Sequence, residues 1–189
     1  MKKQPEVSEA TKQALIDAFC LLNRDMPIGK ITIQAITRKA GYNRCTFYQY
    51  FKDVYDLLDH IESIVISHVK ENFQKNITQQ DFSRTFFDAF TRIQQERSPY
   101  FTMLLRPANR THFTERLTEE VLPIFMERFN LPKEHPHSEY LASMYLATVI
   151  TAIGHWVNHN RSLPLEDLSK MLGNVLTQGV MTEIGKCRQ

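Results

Sequence analysis

Glycine is scarce in this chain. There are six glycines and eight prolines among 189 residues, where soluble proteins carry about 7% glycine and about 5% proline. Tight β-turns consume glycine, so a many-stranded sandwich or barrel is excluded, along with collagen-like and linker-rich chains. Cysteine is also sparse. Cys20, Cys45 and Cys187 are odd in number and far apart, which excludes a disulfide framework or a CxxC metal site and suits a reducing, cytoplasmic compartment. No GxSxG, Walker loop, HExxH or dinucleotide glycine pattern occurs, and this argues against an enzyme. The opening MKKQPEVSEATKQ has two lysines with no apolar run behind them, unlike a secretory signal.

Charge is missing from one long segment. Between Tyr140 and Asn160 there is no Asp, Glu, Lys or Arg, and a span of that length could cross a bilayer. It also contains Ser143, Thr148, Thr151, His155, Asn158, His159 and Asn160, whose polar groups are costly in hydrocarbon. A buried interface helix is therefore expected, with no membrane partner.

What the chain does contain is helical periodicity. Hydrophobic residues make up 42% and charged residues 23%, enough apolar surface to offset chain entropy. Leu15, Ala18, Phe19 and Leu22 recur at i, i+3, i+4 and i+7 and predict a helix over about residues 9–24. A short helix follows, with Thr32 as N-cap, Ile33, Ile36 and Ala40 inward, and Gly41 at the left-handed position past its end. Asn43 caps a second short helix, Tyr42 and Phe47 stand at its staple positions, and Phe47 and Phe51 face the core. Leu57, Leu58, Ile61, Ile64, Val65 and Val69 mark a bridging helix of about twenty residues. Phe82, Phe86, Ala89, Phe90 and Ile93 mark the next, and a shorter helix follows Pro99. Another covers about Thr111 to Phe129 with Pro123 inside it, LPKEHPHS at 131–138 reads as a loop, and two more helices follow, the last from about Pro164. The expectation is all-α: about nine helices and no strand, with a three-helix head at 1–53 and a helical body at 54–189.

Net charge divides along the same boundary. Residues 1–52 hold nine basic and four acidic side chains, and the remainder holds fourteen and seventeen. A basic head on a mildly acidic body suggests a polyanion partner at one end. The stretch ITIQAITRKAGYNRCTFYQYF at 31–51 reads as a helix-turn-helix, whose second helix can enter a DNA major groove. With Phe47 and Phe51 inward, Cys45, Thr46 and Gln49 turn outward, with Arg44 at the tip and Tyr48 on the flank. Arg44 suits guanine O6 and N7, Thr46 and Gln49 suit base edges or phosphates, and Cys45 suits a thymine methyl. Tyr48, Tyr50 and Lys52 suit phosphates, as do the helix N-termini near Thr32 and Asn43.

The pattern I-T-I-Q-x-I-x-x-x-A-G-Y-N-R-x-T-F-Y-x-Y-F-K-D-x-x-D-L-L at 31–58 resembles the N-terminal signature of TetR/AcrR-family transcriptional regulators. The resemblance implies a homodimer on a double-stranded operator with two half-sites, usually a repressor that a small molecule releases. Carried over by position, it implies DNA contacts from Thr32, Gln34, Arg44, Cys45, Thr46, Tyr48, Tyr50 and Lys52. Where the family often has a further basic residue this chain has Val54, which puts one phosphate contact in doubt. The family layout also implies that the last two helices pair with a second subunit. Candidates are Leu141, Met144, Tyr145, Thr148, Ile153 and Trp156, with Leu168, Leu172, Val175 and Leu176, although the same residues would also serve as monomer core.

An effector cavity is less legible. Phe82, Phe86, Phe90, Tyr100, Phe101, Met103, Phe125 and Met144 are candidate lining residues, or an ordinary core stripe. Arg106, Arg110 and His112 are an alternative anion site. His155 with His159, and His135 with His137, lack the further ligands of a tetrahedral metal site, so no metal or cofactor is expected. A helical protein–protein adaptor is the competing class; it leaves the basic head and the Arg44–Gln49 series unexplained.

Overall fold

The computed structural model describes residues 5–76, 100–159 and 163–179, and these residues form helices with no strand among them. The head contains α1 (Pro5–Asn23), a 3-10 turn (Ile28–Lys30), α2 (Ile33–Ala40) and α3 (Arg44–Tyr48). The body contains α4 (Val54–Asn76), α5 (described over 100–104), α6 (Pro107–Arg128), α7 (Ser138–Asn158) and α8 (Leu165–Gln178). Eight helices are therefore described where about nine are expected. Phe82, Phe86, Ala89, Phe90 and Ile93 lie outside the described residues.

Each helix forms where an apolar stripe meets a stop signal. In α1, Leu15, Ala18 and Phe19 are buried, and each large side chain removed from water contributes roughly 1.5–3 kcal/mol. α4 buries Leu57, Leu58, Ile61, Val65 and Val69 and runs from the head into the body. α6 begins four residues earlier than the periodicity predicts, because Pro107 occupies its first turn, where a missing N–H costs nothing. It continues through Pro123 to Arg128 and ends on Asn130 in the left-handed conformation (φ 51°), with the Leu131 amide bonded to the Met126 carbonyl.

The uncharged segment is α7, long and apolar enough by length and composition to cross a membrane. One face is core: Ala142, Leu146, Val149, Ile150, Ile153 and Trp156 are buried. The opposite face is uncovered, with Tyr140, Leu141 and Met144 at 73%, 58% and 67% exposure. Met144 therefore lies on the outer surface of α7 rather than in a cavity.

The expected interface residues divide accordingly. Trp156, Leu168 and Leu172 are buried within the protomer, and Trp156 Nε1 donates to the Leu163 carbonyl at 2.7 Å. The packing of α8 on α7 consumes them, which corrects their assignment to a dimer surface. Tyr145 is half-buried, with its ring 5.0 Å from that of Phe125. Val175 and Leu176 are also half-buried, while Thr148 is half-buried and donates to the Met144 carbonyl.

Candidate nucleic-acid interface

The head is built by local rules. Thr32 Oγ1 accepts the Ala35 amide at 3.2 Å and starts α2. Gly41 ends it at φ 77°, ψ 25°, a left-handed conformation that costs glycine nothing. Asn43 follows two residues later, and its Oδ1 accepts the Thr46 amide at 2.8 Å and the Thr46 hydroxyl at 3.1 Å. The connection between α2 and α3 is thus Gly41–Tyr42–Asn43, the short glycine-containing turn of a helix-turn-helix.

α3 is five residues long, too short to persist without packing. Phe47 and Phe51 supply it: both are buried, with ring centroids 5.7 Å apart. Fixing that side leaves Arg44, Cys45, Tyr48 and Gln49 exposed on the other. Thr32, Gln34 and Lys52 are exposed as well, as are Arg38 and Lys39 in the last turn of α2.

Two expected contacts sit differently. Thr46 is half-buried and its hydroxyl donates to the Asn43 cap, so only its acceptor capacity faces outward. Tyr50 is half-buried with its hydroxyl 3.3 Å from Ser8 Oγ on α1, a contact that ties the head together. Val54 is buried, so the position where family members often carry a basic residue contributes to the core.

The start of α4 holds groups that periodicity passes over. Asp53 Oδ1 accepts the amides of Tyr55 and Asp56, and Asp56 Oδ2 accepts the Lys52 amide. The Asp-x-x-Asp spacing is the signal for this reciprocal cap. It fixes the backbone at Tyr55, whose side chain is 58% exposed.

Two sets of contacts join head to body, and a third holds α4 to α6 within the body. Tyr100, expected in a cavity, is buried with its hydroxyl within hydrogen-bond reach of Gln13 and Asp17 on α1. Arg106 Nη1 donates to the carbonyls of Asn23 and Arg24. On α4, Glu62 is fully buried and accepts from Arg116 Nη1 at 2.7 Å, with His112 Nδ1 at 3.1 Å. Arg116 also reaches Ser63 Oγ, and Lys70 pairs with Glu120 at 2.5 Å.

Arg106, Arg110 and His112 therefore do not converge on an anion site: Arg110 lies against Gly154, and His112 faces a carboxylate. Asp59 joins Glu62 and His112 in a cluster of metal-ligand type, but Arg116 already supplies its positive charge. Of the remaining cavity candidates, Met103 is buried and hydrogen-bonded through Sδ to Asn109. Phe101 packs edge-on to Phe113, and Phe125 stacks on Phe129.

Residues 80–178 match the family described as the transcriptional regulator C-terminal region of TetR type. The chain belongs to the TetR family of transcriptional regulators. Its fold is similar to FadR, a fatty acid degradation regulator from Bacillus halodurans, at 15% identity and TM-score 0.69, covering 95% of this chain and 98% of that one. It is also similar to NalD of Pseudomonas aeruginosa, a secondary repressor of a multidrug efflux pump, at 17% identity and TM-score 0.66, over 92% and 97%. SmeT, a repressor of a Stenotrophomonas maltophilia efflux pump, aligns at 15% identity and TM-score 0.64, over 89% of each chain. No curated protein sequence matches the chain.

Proposed function

We propose that this TetR-family regulator is a cytoplasmic homodimeric repressor whose heads, residues 1–53, bind the two half-sites of a double-stranded DNA operator. The observation that carries the reading is the division of α3: Phe47 anchors it from within while Arg44, Cys45, Tyr48 and Gln49 project from a basic surface. Arg44 reads guanine, Cys45 and Gln49 contact adjacent base edges, and Thr32, Gln34, Tyr48 and Lys52 set the register on phosphates. The repressor sense follows the efflux-pump repressors that share the fold.

In this proposal the body, residues 54–189, dimerises through the uncovered face of α7 around Leu141 and Met144 and takes up a small-molecule effector. The effector binds better to one arrangement of the paired heads and so shifts the dimer away from the operator-competent state. The contacts of Tyr100 and Arg106 with α1 are the joints through which the body moves the head.

Selection of bound duplexes from random DNA tests the head. The expected product is a two-fold-related pair of half-sites, bound with an affinity that falls steeply as salt rises through counterion release. Recovery of random sequence, or binding indifferent to salt, would favour the adaptor reading.

A further inference from the structure

The end of α1 is capped from outside the head. Its last turn holds no basic residue, and the final carbonyls of a helix lack partners within it. Arg106, at the start of α6, supplies the cation: its Nη1 donates to the Asn23 carbonyl at 3.1 Å and to that of Arg24. Asn109, in the first turn of α6, donates through Nδ2 to Asn23 Oδ1 at 2.6 Å, and Asn23 Nδ2 donates to the Met26 carbonyl at 3.3 Å. Asn23 and Asn109 are each 5% exposed, so these bonds are costly to leave unmade.

The same turn is held from α7. Asn158, the last residue of that helix, donates through Nδ2 to the Gly154 carbonyl at 2.6 Å and to the buried Leu105 carbonyl at 2.9 Å. The Leu105 carbonyl and the Arg106 amide belong to one planar peptide unit, which ends at the Cα that carries the Arg106 side chain. That amide donates to the Met103 carbonyl at 3.3 Å, which also accepts Asn109 Nδ2 at 3.0 Å. A single rigid peptide thus lies between the bond from α7 and the bonds to α1.

We propose that Asn158 and Arg106 are positioning residues for operator recognition: through the Leu105–Arg106 peptide they fasten the end of α7 to the end of α1, and so set the separation of the two heads. This role rests on the dimer and operator proposed above, in which α7 is the element that joins the protomers and α1 is the base of each head. A half-site displaced by one base pair moves about 3.4 Å along the duplex. A head held by this short chain of bonds matches one half-site spacing, and a head released from it accepts several. Neither residue needs to touch DNA.

Two measurements on the full chain, compared with Asn158→Ala and Arg106→Met, test this role. Hydrogen exchange needs no operator. In Asn158→Ala the amides of Asp25 and Met26, which donate to the Leu22 carbonyl, should exchange at least about threefold faster. Faster exchange confined to the end of α7 would make Asn158 a local cap and overturn the coupling. The second measurement is binding to selected operators with one base pair inserted or removed between the half-sites. Each variant should lower the preference for the original spacing by at least about threefold at unchanged affinity for a single half-site, and the double variant should lose no more than either alone. An unchanged spacing preference, or equal losses on every duplex, overturns the positioning role. Failure to select any paired operator refutes the operator reading, and the spacing role with it, while the exchange result still reports whether α7 is tied to α1.

Discussion

Arg44 and Phe47 are three residues apart and differ completely in environment: Arg44 is exposed and Phe47 is fully buried. Replacing Arg44 with alanine should weaken specific operator binding by about 1–3 kcal/mol at unchanged thermal stability. Equal losses on specific and random duplexes would reassign it to a phosphate. Asn43→Ala should act in the reverse sense, lowering stability by about 1 kcal/mol through loss of the cap, as read by urea unfolding. His60, on α4 against the head, gives the protein a pH signature. Burial against Phe51, with the positive charge of Lys12, holds its pKa below the usual histidine value. The unfolded chain therefore binds a proton that the folded chain resists, so stability falls as pH drops below about 6.5. His60→Gln should lessen the loss of unfolding free energy between about pH 7.5 and about pH 5.5; an identical loss would remove His60 from the account.

Among the elements, legibility follows the range of the interactions that define each one. α2 and α3 were readable because their starts and the turn between them depend on Thr32, Gly41 and Asn43, all within a few residues of what they cap. The start of α6 was not, since its N-cap Arg106 makes no capping side-chain bond and leaves Pro107 as the local sign. Glu62 is the clearest case of a residue that periodicity could not interpret. It sits between the core positions Ile61 and Val65, and its partners Arg116 and His112 lie 54 and 50 residues further along. Tyr100 is a second case, because its hydroxyl answers to α1, more than eighty residues earlier in the chain. The α4–α6 pair yields a prediction of its own. Arg116→Met strands a buried carboxylate and should cost about 3–5 kcal/mol, most of it recovered when Glu62→Gln is added. A double variant as unstable as the single one would show that the charge is not the cause.

For the whole molecule, the decisive feature is that α7 has two apolar faces and the protomer covers one. The missing charge marks the segment in the sequence as a helix to be buried, but which of its side chains the protomer covers depends on how α8 lies on it. Leu141→Glu with Met144→Glu, on the uncovered face, should yield a folded protein that sediments at half the mass and binds operator more weakly, because two linked heads no longer act at once. An unchanged mass would place the dimer contact elsewhere. The short recognition helix carries a different consequence, for change over time. Because the set of residues that anchors α3 and the set that faces outward do not overlap, Arg44, Cys45 and Gln49 can be rewritten one at a time without a toll on folding. A regulator built this way can acquire a new operator after gene duplication while its scaffold stands still.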